Sequence, residues 1–214
     1  MISEQKEIGY SIIESIKSSE ISKLTPDLLE VGVDKILNDD IIKEFPVVRL
    51  IQALYKTVVT VSDRILIKKI VLFLKGLGGA SKADIDKFID KMNNEPTKQK
   101  KIGDKLLLIL DKSDDFEKSF LIAEVFKYYL IGEIDYDTFQ LLCNAINNTY
   151  LGHLKNLKQY YEILHNSQRL HTDIYENLFH SGLVGIESYI VTGASGIEYI
   201  PNNLGSLLIK ILFK

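Results

Sequence analysis

Six basic side chains between residues 45 and 77 (Arg49, Lys56, Arg64, Lys68, Lys69 and Lys75) share that stretch with one acid, Asp63, and a dense set of Val, Ile, Leu and Phe. Cations along helices with a broad apolar face can hold a chain on an anionic membrane surface. Each basic residue near such a surface adds about 1 kcal/mol. The competing expectation is a core helical hairpin with these cations at its rim, because the chain's other helices need apolar partners. The sequence favours the core hairpin and keeps the six residues as a candidate membrane or partner surface.

Other chemistry-bearing residues lack the spacing that a reaction or a ligand needs. His153, His165, His171 and His180 form neither an HExxH pattern nor an i, i+4 pair, and Cys143 is the only thiol. Cys143 shares an apolar helical face with Phe139 and Ile146, where cysteine behaves as a small hydrophobe. Gly132 to Phe139, GEIDYDTF, is similar to the second half of a calcium loop. In that alignment Lys127, Tyr129, Ile131 and Thr138 take positions that require oxygen ligands, mainly carboxylates. It reads as a turn between helices. The run Lys75 to Lys82, KGLGGASK, has the glycine density of a phosphate loop. It follows a helix where a strand is required, so it reads as a helix connection. Asp114, Asp115, Asp135 and Asp137 read as helix caps and solvated loop residues. No catalytic, cofactor-binding or metal-binding set emerges, and the expectation is a non-enzymatic protein without a cofactor.

Composition bounds the rest. The 214 residues are 46% hydrophobic and 26% charged, a globular balance. A net charge of −3 supplies no global attraction to nucleic acid. Arginine occurs only at 49, 64 and 169, which weakens any bidentate recognition of phosphate. The single cysteine rules out an internal disulfide framework. No signal-peptide pattern opens the chain and no apolar run reaches membrane-spanning length, so a cytoplasmic location is expected, with the inner face of the membrane as an alternative.

The elements that must position these residues read as helices over most of the chain. Ile8, Ile12, Ile13 and Ile16 mark a first helix over 3–17. Thr25-Pro26 predicts the start of a second, running to about Leu37, and Asp39 or a neighbour caps a short third. Helices follow over 46–60, from a Ser62-Asp63 cap to the glycines at 76–79, from Ser81 to Met92, and through GDKLLLILD. Phe116 to Ile131, FEKSFLIAEVFKYYLI, is apolar over most of its circumference and is the expected central helix, capped by Ser113 or Asp114 and ended by Gly132. Asp135 caps the next periodic helix, whose pattern continues to about residue 165.

The texture changes near Ser167. A short helix ending at Gly182 precedes two β-rich segments, GIESYIV and IEYIP, joined by residues 192–196, and NNLGSLLIKILF closes the chain as a helix. Helix, hairpin, helix is the order of a winged-helix tail. With GLV, the hairpin, Tyr199 and Leu204-Gly205, the last quarter resembles the ends of many bacterial winged-helix proteins. Separately, DDIIKEFPVVRL (39–50) and the helices after it resemble a broad group of uncharacterised bacterial proteins, some of them similar to abortive-infection (phage-defence) proteins. That likeness implies a biological setting and no site residue.

The expected fold is mainly α, a multi-helix bundle over 1–165 with a small winged-helix-like α+β module over 166–214. The expected role is a non-enzymatic interaction or regulatory protein, with phage defence as its setting and contact through helices 46–76 or the tail. A protein partner or a further copy of the chain is expected to bind it. The alternatives are a membrane-surface effector using the six cations and a winged-helix transcriptional regulator. The acidic tail disfavours nucleic acid, since phosphate contacts dominate DNA affinity.

Overall fold

A computed structural model of the chain describes residues 2–24, 26–54, 60–93, 96–165, 172–191 and 194–213. Its described part is mainly helical, with one two-stranded antiparallel sheet. Two compact units divide the chain, residues 1–133 and 134–214. The boundary expected after residue 165 lies inside the second.

The first unit runs α1 (Ile2–Ile16), a 3-10 turn (Ser19–Lys23), a second one (Pro26–Leu29), α2 (Val33–Asn38) and α3 (Asp40–Lys43). It continues with α4 (Pro46–Leu54), α5 (Val61–Gly76), α6 (Lys82–Asn93), α7 (Pro96–Lys112) and α8 (Phe116–Ile131). Ile67 and the run Ile70 to Leu74 bury every face of α5's second half, so α5 shares the centre with α8. A methyl added to Gly76 would lie 2.6 Å from the Ala123 Cβ, which shows how closely α5 meets α8. Beside that contact Phe73, Phe88, Phe126 and Tyr129 interlock edge-to-face with centroids 5.3 to 5.8 Å apart and join α6 to the pair. On α1, Ser15 donates to the Ser11 carbonyl at 2.8 Å and receives the Val47 N–H at 3.0 Å. One buried hydroxyl thus satisfies an orphan donor of α4's first turn.

Three helix starts differ from the sequence reading. The helix expected from Thr25-Pro26 to Leu37 is a 3-10 turn and then α2, separated by the extended Gly32. Glycine in a helix interior costs about 1 kcal/mol, and the carbonyls that the break frees are bonded elsewhere, as described below. Thr25 lies outside the described residues. The cap of α5 is Thr60, not Ser62: its hydroxyl receives the Asp63 N–H at 3.2 Å and the Asp63 carboxylate receives the Thr60 N–H at 3.0 Å. This reciprocal pair needs an acid three residues on, which Asp63 supplies only for Thr60. At α8 the cap is Asp115, bonded to the Glu117 N–H at 2.8 Å, because Asp114 is drawn into an ion pair with Lys118 at 2.6 Å. Gly132 ends α8 at φ +81°, as its position predicts.

The second unit contains α9 (Tyr136–Asn148), α10 (Leu151–Lys155), α11 (Leu157–His165) and α12 (Thr172–His180). Strands β1 (Val184–Val191) and β2 (Ala194–Pro201) and a last helix, α13 (Asn203–Leu212), complete it. Asp135 caps α9 as expected, but the helix stops at Asn148 instead of running to about 165. Thr149 turns extended and bonds its hydroxyl back to the Ala145 carbonyl at 2.7 Å. Asn177 of α12 then takes the Tyr150 N–H at 3.1 Å and meets His153 Nδ1 at 2.9 Å. The strands pair from Val184 opposite Pro201 to Val191 opposite Ala194. Residues 194–196, expected in the hairpin loop, therefore belong to β2, and Thr192-Gly193 lies outside the described residues.

One phenol organises this unit. Tyr161 on α11 donates to the Leu183 carbonyl just before β1, and Asn202 after β2 caps α13 through the Gly205 N–H at 2.9 Å. Asn202 also donates to the Gly182 carbonyl at 2.9 Å. Burial pushes the Tyr161 hydroxyl above the ordinary value of 10.0, against a smaller opposite effect of Asn202. The unfolded chain therefore loses this proton first as pH climbs past 10, and stability falls from there upward. Tyr161→Phe is expected to cost about 1 kcal/mol at neutral pH and to flatten that alkaline decline. Urea unfolding at neutral and alkaline pH measures both. A variant that declines as steeply as the parent would deny Tyr161 this role.

Candidate interaction surface

Three of the basic residues of 46–76, Lys68, Lys69 and Lys75, serve the interior of their own unit. Lys68 is 5% exposed and donates to the carbonyls of Leu29 and Val31 at 3.0 and 2.8 Å, with its ammonium 4.3 Å from the Phe116 ring centroid. Lys69 is 8% exposed and donates at 2.9 Å to the carbonyl of Asp111, at the C-terminal end of α7. Lys75 donates to the Leu24 carbonyl that follows the first 3-10 turn. A helix leaves its last carbonyls without partners and favours a cation there. Lys69 and Lys75 meet that need for two helical ends, and Lys68 takes the carbonyls freed by the break at Gly32. Burial lowers the pKa of both Lys68 and Lys69, and the nearby Asp111 and Asp114 partly restore that of Lys69.

The remaining members lie apart. Arg64 pairs with Asp34 at 2.7 Å, and Arg49 bonds the Glu44 carbonyl and carboxylate at 3.0 and 3.1 Å. Both are surface pairs within the first unit, of a kind worth about 1 kcal/mol at most. Lys56 lies outside the described residues. Lys68 and Lys69 leave α5 toward different neighbours, so the structure does not collect the five described cations on one face.

Among the described residues, no three His, Cys, Asp or Glu side chains are placed to hold a metal ion. Cys143 is fully buried, and His171 lies outside the described residues. Asp135 and Asp115 act as helix caps. No described helix is long and apolar enough to cross a membrane.

The second unit presents a different surface. Ile186 faces Tyr199 across the hairpin and Ser188 faces Ile197, which puts these four side chains on one side of the sheet. Tyr199 stacks on Tyr175 of α12 at 5.4 Å and meets Phe179 edge-on at 6.2 Å. Helix α12 therefore covers only part of this side. Ile197 remains 60% exposed, Ile186 44% and Phe179 37%. The Tyr175 hydroxyl is buried with no hydrogen-bond partner, and burial raises its pKa. On the opposite side Glu187 lies directly across from Glu198, both exposed.

Sequence reasoning found the hairpin and missed its uncovered side. Alternation in ESYIV and IEYIP signals strands, yet it does not say how far a neighbouring helix reaches over them. The available signal was the absence of any Lys or Arg from 172 to 201 alongside the aromatic and aliphatic residues. No family model matches this chain, no curated protein matches it in sequence, and no solved structure matches its fold.

Proposed function

We propose that this chain is a non-catalytic interaction protein whose contact surface is the uncovered side of the β1–β2 hairpin with Phe179 of α12. The observation that carries the reading is the exposure of Ile197, Ile186 and Phe179 around one ring, Tyr199. Single exposed hydrophobes are ordinary, while adjacent ones with aromatic company characterise contact sites. The helix–hairpin–helix order of 172–212 supports a winged-helix-like module used for protein contact. Phage defence, the setting implied by the likeness of residues 39–50, is part of the same proposal.

The membrane-surface reading draws less support, since Lys68, Lys69 and Lys75 are bonded to carbonyls inside the first unit. A DNA-reading regulator draws less again, because residues 172–201 offer four acids and neither Lys nor Arg to a phosphate backbone.

Ile197→Asp tests the reading. A tagged chain expressed in its native host is expected to co-purify a partner that the variant recovers at a tenth of the parent level or less, a loss of about 1.4 kcal/mol in binding. Thermal unfolding of the variant should match the parent, because Ile197 is mostly in solvent. Undiminished recovery with Ile197→Asp would remove the hairpin from the contact.

A further inference from the structure

We propose that the outer edge of β2 takes up an extended partner segment in which aliphatic residues alternate with lysine or arginine, added as a third strand. This rests on the interaction reading above and names what the surface receives. Three features converge on it. First, the stretch from Thr172 to Pro201 contains Asp173, Glu176, Glu187 and Glu198 and no Lys or Arg, so its complement is cationic.

Second, the register divides the hairpin into two unlike faces. Ile186, Ile197 and Tyr199 occupy one, while Glu187 and Glu198 stand directly opposite each other on the other. Like charges in that position destabilise a sheet. No cation within 172–201 relieves them.

Third, helix α11 packs against β2, yet the main chain of the edge itself is unpaired. Among the described residues, no hydrogen bond from another element reaches 185–188 or 196–200. A strand edge in that state carries a row of unpaired N–H and C=O groups, ready for another chain. A strand added there sends alternate side chains to opposite faces. Its aliphatic residues would widen the Ile197 face while its cations stand directly beside Glu198, the outer member of the glutamate pair. A helix laid on the apolar side would reach the isoleucines and leave the acids uncompensated. An alternating acidic strand would add charge to a face that already carries too much. Strand addition is an established mode of peptide capture, with main-chain bonds supplying affinity and alternate side chains supplying choice.

The test is fluorescence anisotropy of the full chain with labelled heptapeptides at physiological salt. One alternates lysine and valine, one alternates glutamate and valine, and one has the lysines and valines in separate blocks. The lysine–valine strand is expected to bind at least about tenfold tighter than either other peptide. Its alternate N-methylated form, which lacks the edge donors, should not bind. Glu187→Lys/Glu198→Lys is expected to reverse the preference toward the acidic strand. Equal affinity for the blocked peptide, or an unchanged preference in the charge-reversed variant, would overturn the proposal.

The two readings fail separately. If no peptide binds while Ile197→Asp still abolishes partner recovery, the cationic strand falls and the interaction surface stands. If Ile197→Asp leaves recovery unchanged, the surface itself falls, and the strand with it.

Discussion

Gly103→Ala is expected to destabilise the protein by about 3 kcal/mol or more, the upper range for overpacking a tight contact. A methyl at Gly103 would be driven into the Gly9 carbonyl oxygen, with the carbonyl carbon 2.6 Å away. Both are backbone atoms of α1, so no rotamer change relieves the clash and the two helices must separate. Gly9 is equally constrained, since a methyl there would lie 2.8 Å from the Asp104 backbone nitrogen. Separation would strip neighbours from Ile12, Ile13 and Ile16 on α1 and from Ile102 and Leu106 on α7, all buried. Gly32→Ala is the control, since nothing lies within 4 Å of its added methyl and its φ is ordinary. Urea unfolding of both variants decides it. A Gly103→Ala variant within about 0.5 kcal/mol of the parent, the scatter of an ordinary surface change, would mean the helices do not meet at this pair.

The second large effect concerns the lysines of α5. Lys68→Glu/Lys69→Glu is expected to prevent the first unit from folding, because it sets two carboxylates against the carbonyls of Leu29, Val31 and Asp111. Breaking one buried charged contact costs about 3–5 kcal/mol, and a whole domain has about 5–15 kcal/mol to lose. Lys68→Met, which keeps the stem and removes the donor, should cost about 1–3 kcal/mol for the carbonyls left unsatisfied. Near-ultraviolet circular dichroism and urea unfolding supply the readout. The contrary result is concrete: a double variant that folds normally yet no longer floats with anionic vesicles would return these lysines to a membrane surface.

How much of this was legible differs by element. The span of α8, its glycine terminator and the Asp135 cap follow from residue type and local spacing, and the structure has them where the sequence puts them. The Thr60 cap was missed because two acceptors, Thr60 and Ser62, stand two residues apart. The deciding signal, the acid Asp63 three residues after Thr60, reads as part of the cap itself. The break at Gly32 and the end of α9 at Asn148 depend on bonds from Lys68 and Asn177, which lie 36 and 29 positions further along the chain. No local pattern encodes such bonds. The basic set shows the same limit. Charge and periodicity place Lys68 and Lys69 on a helix, but whether a lysine ends in water or on a carbonyl depends on which helix ends arrive nearby. The hairpin reverses the case, since its strands were visible and its bare side is a statement about what α12 fails to reach.

The lysine cradle of α5 also changes what counts as a mild substitution. An ammonium is compact and offers three donors, so it fits between the Leu29 and Val31 carbonyls with its stem buried. A guanidinium carries the same charge on a wider, planar fork that demands partners in one plane. Arginine at 68 would therefore keep the sign and lose the fit. A chain with three arginines in 214 residues looks compositionally biased, yet at position 68 the two facing carbonyls favour lysine whatever the genome prefers.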